Sequence, residues 1–140
     1  MKSKRADILS AIAQRLEAIQ KENGYLTDIG KKVLYWQDFP SEYEADLTIY
    51  KDTNHRFDRR NQIVQNELDI EIQGILFSGQ NTSEVVQDFL AAIGEDETWG
   101  KLTAYTNVKA ADTQLVSTGK RAMSVTLFIE VSYRSELWSV

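Results

Sequence analysis

Few side chains in this sequence can do chemistry. There is one imidazole, His55, and no cysteine. A hydrolytic relay would need His55 between a serine nucleophile and an orienting carboxylate. Instead it stands among Asn54, Arg56 and Arg59 in a polar segment, and no strand-turn-helix spacing around a serine is present. It reads as a wet loop histidine. Asp69 and Glu71 fall on one side of an alternating stretch, where two carboxyls can share acid and base roles. That side is also where a one-sided sheet places its charge. Glu95, Asp96 and Glu97 could gather a hard cation, but they lack the spacing of a calcium loop and read as a solvated helix exit. Gly119-Lys120 has the ending of a phosphate loop, yet the required upstream glycine is Gln114. The expectation is a protein without catalytic, metal or cofactor residues, in which binding or assembly is the leading role.

Composition narrows the partners. The chain has 140 residues, 21 acidic against 16 basic, a net charge of -5 and 42% hydrophobic residues. That is enough to bury one core, and the reading is a single α+β domain over residues 1–140. An acidic chain lacks the basic footprint that phosphates demand. No apolar run approaches the ~20 residues of a membrane span. Residues 1–7 are basic, but Glu17 and Glu22 interrupt an apolar signal core, so a soluble, intracellular, non-secreted protein is expected. The one basic stretch is 51–62, where Lys51, Arg56, Arg59 and Arg60 outnumber Asp52 and Asp58 around His55 and Phe57. It reads as a polar hairpin loop that contacts protein.

The elements that would position these groups follow from periodicity. Ile8, Ile12, Leu16 and Ile19 form one stripe of a helix over 4–22, ended by Asn23-Gly24. Val33-Leu34-Tyr35-Trp36 reads as a short strand stopped before Pro40, with Trp36 in the core. Ala45, Leu47 and Ile49 alternate with polar residues as a second strand. Leu68, Ile70 and Ile72 make a third, and a phase flip at Gly74 suggests a β-bulge. A turn at 78–81 leads to a second helix, capped by Asn81 and striped by Val86, Phe89, Leu90 and Ile93, which Gly94 stops. A strand over 102–108 follows, then a polar hairpin over 110–120. The last strand, from Met123 through Val125, Leu127, Ile129 and Val131 to Tyr133, would span roughly 46 Å at ~3.3 Å per residue. Leu137 and Trp138 lie beyond it and suggest a contact with another chain. The order α-β-β-β-α-β-β predicts an α+β fold, a mainly antiparallel sheet with two helices on one face.

This order, the helix with Ile8, Leu9, Ile12 and Leu16 leading to Asn23-Gly24-Tyr25, the strands at 47–50 and 68–72, the helix opening Glu84-Val85-Val86-Gln87-Asp88-Phe89 and the terminal strand 125–133 together resemble the tail-terminator (tail-completion) proteins of long-tailed bacteriophages, the lambda-type minor tail protein family. The likeness spans nearly the whole chain and lies in element order and short strings, with no catalytic signature. It implies a non-enzymatic subunit of a hexameric ring that caps the growing tail tube, stops its polymerisation and offers the surface joined by a head-completion or connector protein. Nucleic acid would only pass through the ring. The protein would belong to a virion tail and assemble in the bacterial host cytoplasm, from a free phage or a prophage. The charges suggest which parts meet in such a ring: the basic segment with Lys51, His55, Arg56, Arg59 and Arg60 against Glu95, Asp96 and Glu97, with Leu137 and Trp138 as a further contact. A small-ligand-binding or regulatory α+β domain is the competing reading, and it predicts a concave apolar pocket.

Overall fold

The computed structural model describes residues 3–36, 45–77, 81–117 and 121–140. Helix α1 (Lys4–Glu17) is capped by Ser3, whose hydroxyl accepts from the Ala6 amide. Strand β1 (Val33–Tyr35) follows, then β2 (Leu47–Arg60), β3 (Ile63–Leu76), helix α2 (Thr82–Gly94), β4 (Tyr105–Ser117) and β5 (Arg121–Glu136). The five strands form one sheet in the order β1-β2-β3-β5-β4. All pairs are antiparallel except β1 with β2. This is the expected α+β fold. The parallel exception follows from the crossing between the two strands, which is longer than the hairpin turn an antiparallel pair would use.

Both helices lie on one face of the sheet. Ile8, Ile12, Leu16 and Ile19 from the first stripe join Val85, Phe89 and Ile93 over Leu68, Ile70, Ile72, Leu127, Ile129 and Val131 in one buried cluster. Paired residues of antiparallel strands share a face, so the register of β3 with β5 assigns the opposite face to Glu67, Asp69, Glu71 and Gln73 with Thr126, Phe128, Glu130 and Ser132. A second buried cluster of Leu47, Ile49, Ile75 and Ala122 lies near one end of the sheet, with Leu47 and Ile75 paired across β2 and β3.

Several local expectations are corrected. The first helix ends at Glu17, short of Asn23-Gly24. A separate 3-10 turn over Lys21–Asn23 carries Gly24 as its left-handed cap at φ 92°, and this turn returns the chain so that Gly30 passes against the helix end. A Cβ on Gly30 would stand 2.1 Å from the Leu16 carbonyl oxygen, so only glycine fits that approach. Gly74 is paired in register on both sides and is no bulge. It admits α2, since a Cβ there would lie 3.1 Å from Val85 Cγ1 and 3.3 Å from Phe89 Cζ. The bulges fall on the outer strands, at Thr53 and Lys109. The α2 stripe is rotated from the expected one: Val85, Asp88, Phe89, Ala92 and Ile93 are buried and Leu90 is exposed. The reason is Asp88, whose carboxylate accepts from the Leu26 and Thr27 amides at 2.9 and 2.8 Å and from the Thr27 hydroxyl at 2.6 Å. A carboxylate so satisfied can face inward.

The largest correction concerns the polar stretches. Residues 51–60 continue β2, and only Asn61 and Gln62 turn the chain, with Asn61 at φ 58°. The 110–117 part of the other expected hairpin belongs to β4, which begins at Tyr105, later than the strand expected over 102–108. Pro40, the turn at 78–80 and Gly119-Lys120 lie outside the described residues. Among the described residues no helix is long and apolar enough to cross a membrane.

Candidate interaction surface

The bulge at Thr53 decides where the chemistry-bearing residues of β2 point. Before it, Asp52 pairs with Ile70 on the helix-covered face. After it, His55 pairs with Leu68 and stays on that face, whereas Arg56 pairs with Glu67 and turns to the uncovered face. Two polar clusters result, one on each side of the same strand.

The helix-side cluster centres on the buried carboxylate of Asp52. Arg5 Nε donates to its Oδ2 at 3.0 Å, and Arg5 Nη2 donates to the same oxygen. The Tyr35 hydroxyl and Trp36 Nε1 each donate to Oδ1 at 2.5 Å. Burial pushes the Asp52 carboxyl up. The bonds from Tyr35, Arg5 and Trp36 together outweigh that and hold it below the usual carboxylate range. Arg5 also stands 3.1 Å from His55 Nδ1. His55 Nε2 lies 2.8 Å from Asn66 Oδ1 and 3.3 Å from the Tyr133 hydroxyl, and its ring stacks at 4.2 Å on exposed Phe57. Burial and neighbouring Arg5 lower the His55 pKa, despite the Asn66 bond that raises it. Burial pushes the Tyr133 phenol up to about 12, and its hydroxyl donates to the Val140 carbonyl at 3.2 Å. That carbonyl also accepts from the Arg5 amide at 3.0 Å. The cluster thus ties the start of α1, the end of β1, the middle of β2 and residue 140 together. His55 is no loop residue, and its ring contacts are committed within the subunit.

On the uncovered face, charges of both signs form a ladder across four strands. Arg56 donates to both oxygens of Asp69, at 2.6 and 3.1 Å, and to Glu130 at 2.5 Å. Lys109 reaches Glu130 at 2.9 Å and Asp69 at 3.5 Å. The Arg56 bond holds the Asp69 carboxyl down. Burial pushes Glu130 up, but Lys109 and Glu67 bonds bring it net down, while the shared bond to Glu130 raises Glu67. Of the two carboxylates on this face, Asp69 is bound to Arg56 and Lys109, and Glu71 stands at the next position along it, opposite Phe128. Polar bonds extend the ladder at Gln65 with Ser132 and Gln73 with Ser124, at 2.6 and 2.7 Å.

The structure separates the other expected contact residues. Arg59 and Arg60 are exposed at the end of β2, where Arg59 Nε donates to the Asn61 carbonyl and Arg60 stands 3.6 Å from Asp58. Lys51 lies 5.7 Å from the Trp36 ring. Trp36 itself, expected in the core, is half exposed at φ 50° where the chain leaves β1. Its ring nitrogen bonds to buried Asp52 while the rest of the side chain stays half exposed at the edge of the cluster. Trp99 takes the core place, with Arg15 4.7 Å above its ring. Glu95 and Glu97 are exposed, but Asp96 folds back on its own loop. Asp96 accepts from the Thr98 hydroxyl and amide and from the Gly100 amide, which hold its carboxyl at about 2. Leu137 is half-buried, its amide bonded to the Gln62 carbonyl at 2.8 Å, whereas Trp138 is 82% exposed at φ 75°.

Sequence reasoning missed Arg5, Tyr35, Asn66, Tyr133 and Lys109. Each takes its meaning from a partner 11 or more positions away. The only local sign was the concentration of polar residues in an extended stretch. The clefts formed by the described residues are surface features with charged linings. One of about 410 Å³ lies between Asp58, Arg60, Ile63, Gln65 and Arg134, and another of about 450 Å³ lies between Tyr25, Leu26 and the side of α2.

Two stretches of sheet edge stay open. β1 covers β2 only from Thr48 to Tyr50, and among the described residues no strand lies on that side of residues 53–60. β4 has β5 on one side and no described strand on the other, and from Tyr105 to Leu115 every residue but Thr106 is exposed. Unpaired strand edges of this length template pairing with other chains. Tyr105, Val108 and Leu115 on one edge and Phe57 on the other add exposed apolar surface. The sequence matches no family model and no curated protein.

Proposed function

We propose that this protein is an assembly subunit of the phage tail-terminator type, one that closes with its copies into a hexameric ring and caps a tail tube. The observation that carries this reading is the pair of open sheet edges on opposite sides of one subunit. A subunit with two different sticky sides associates head to tail, and such contacts close into rings or run on as filaments. Three further features support it. The polar groups of His55 and Asp52 are bound to neighbours within the subunit, which suits a structural clasp rather than turnover. The clefts are open surface hollows with charged residues in each lining, unlike the enclosed pocket of a small-ligand domain. Trp138 projects from the end of the last strand as an anchor for a partner.

The mechanism is competitive capping. The ring binds the tube end at least as well as the next ring of tube subunits, and its far side lacks the tube's self-complementary surface. Growth stops there, and the far side is left for the head-completion protein. The test is to add the purified protein to polymerising tube subunits encoded in the same gene neighbourhood. Short tubes closed by a ring at one end are expected. A tube length distribution unchanged by the protein overturns the proposal.

A further inference from the structure

We infer that the seam between subunits is an antiparallel strand pair, β4 of one copy against residues 53–60 of β2 in the next, clamped by Arg59 and Arg60 of one copy and Glu95 and Glu97 of the other. This rests on the ring reading above and names its interface. Strand sense comes first. β2 is antiparallel to β3, β3 to β5 and β5 to β4, so β2 and β4 run in opposite directions. Copies related by rotation about an axis near the strand direction keep their strand sense. An outer β4 therefore meets the neighbour's β2 antiparallel, the geometry that the four long strands already use.

Charge comes second. Tyr105, at the start of β4, pairs with Ser132, which pairs with Glu67, which pairs with Arg56. The start of β4 is therefore level with the last residues of β2. The acidic loop is fastened to that same place, because the Glu97 carbonyl accepts from the Thr106 and Thr103 hydroxyls at 2.7 and 3.3 Å. When β4 lies beside the next copy's β2, exposed Glu95 and Glu97 come to the end where exposed Arg59 and Arg60 stand. Within one subunit two strands, β3 and β5, lie between β2 and β4, so these opposite charges do not meet at home. Asp96, Arg56 and Lys109 take no part, since each is tied to two or more groups of its own subunit, whereas Arg60 has one exposed pair with Asp58 and Glu95 one bond from Tyr25.

Bulges fit the same picture. Both outer strands carry one, at Thr53 and at Lys109. Bulges bend an edge and raise its twist, which limits pairing to a short stretch and opposes indefinite sheet growth. Eight residues of β2 are open against the longer β4, so the pair can be staggered, as closure of a strand ring requires.

The experiment uses the full chain and reads mass in solution together with amide hydrogen exchange. In the wild-type ring, peptides covering 53–60 and 105–115 should exchange more slowly than in dilute, dissociated protein, while α1 and α2 are unchanged. Arg59→Glu with Arg60→Glu, or Glu95→Arg with Glu97→Arg, should each raise the concentration needed for assembly by at least about tenfold, because like charges then face each other across the seam. All four substitutions together should restore assembly. Thermal melts of the unassembled variants check that these exposed changes leave the fold intact, and the wild-type exchange readout needs no variant. A ring that forms with both reversals unimpaired and both edges unprotected overturns the seam and leaves the ring reading standing. A wild-type chain that stays monomeric at every concentration, with and without tube subunits, overturns the ring reading and the seam with it.

Discussion

Two faces of β2, separated by one bulge, hold the same kinds of side chain and use them differently. On the helix side, Asp52 is buried and receives four donated hydrogen bonds, two from a guanidinium and two from neutral aromatic donors. On the other side, Arg56, Lys109, Asp69, Glu130 and Glu67 share charge across an open face. An ion pair in water gains little, since solvent screens the charges and the long side chains lose freedom. A buried carboxylate is different, because loss of its partners leaves uncompensated charge or unsatisfied donors. The helix-side cluster is thus a structural clasp between α1, β1, β2 and the end of β5. The ladder on the far side sets register and solubility more than stability.

The sharpest way to break this contrast is at Asp52. Asp52→Ala removes the acceptor for Arg5, Tyr35 and Trp36 and should cost about 3 kcal/mol, the low end for a broken buried pair because Arg5 is partly exposed. Urea unfolding measures it, and a loss no larger than that of a surface substitution would put the clasp on a par with the ladder.

Next in size is the pH response of the same cluster. Burial lowers the His55 pKa below its usual 6.5 in the folded protein. The unfolded chain therefore binds a proton that the folded chain resists, over the window from about 6.5 down to the folded value. The stability contributed by neutral His55 is fully present above that window and is lost as pH falls through it. Melting temperature should drop between pH 7 and pH 5.5, before the carboxylates titrate. His55→Gln should flatten that slope, and an equal slope in the variant would show that the proton goes elsewhere.

The smallest effect is expected on the open face. Arg56→Ala removes the hub of the ladder, yet it should lower the melting temperature by less than either change above. The difference should vanish in 1 M salt, where screening acts within about 3 Å. A loss that persists in salt would mean that packing of the Arg56 stem, rather than its charge, holds the strands.

Much of the fold was legible in the residue pattern, for a physical reason. Ile8, Ile12, Leu16 and Ile19 repeat at helical spacing and are all buried. The alternation from Met123 to Tyr133 belongs to β5, whose buried residues line one face. Residues 51–60 were misread as a loop because they carry no apolar alternation. They are a strand because β3 supplies a partner for every step but the bulge, and cross-strand polar pairs replace burial. Trp36 was placed inside on hydrophobicity, but its ring nitrogen has a stronger claim in Asp52. The candidate site was half legible. Arg59, Arg60, Glu95, Glu97 and Trp138 are exposed, as contact residues must be. His55, Arg56 and Asp96 are spoken for by Asn66, Asp69 and Thr98.

Periodicity and composition by themselves determined the class of fold, the stripe of the first helix, the long last strand and the scarcity of reactive groups, because each depends on residue type and spacing along the chain. Tertiary structure decided the rest. The single extra residue at Thr53 puts His55 on the helix side and Arg56 on the open side, the reverse of unbroken alternation, and among the described residues strand order makes β4 and half of β2 open edges. Both are set by which strand pairs with which, a long-range choice that no local stretch of sequence contains.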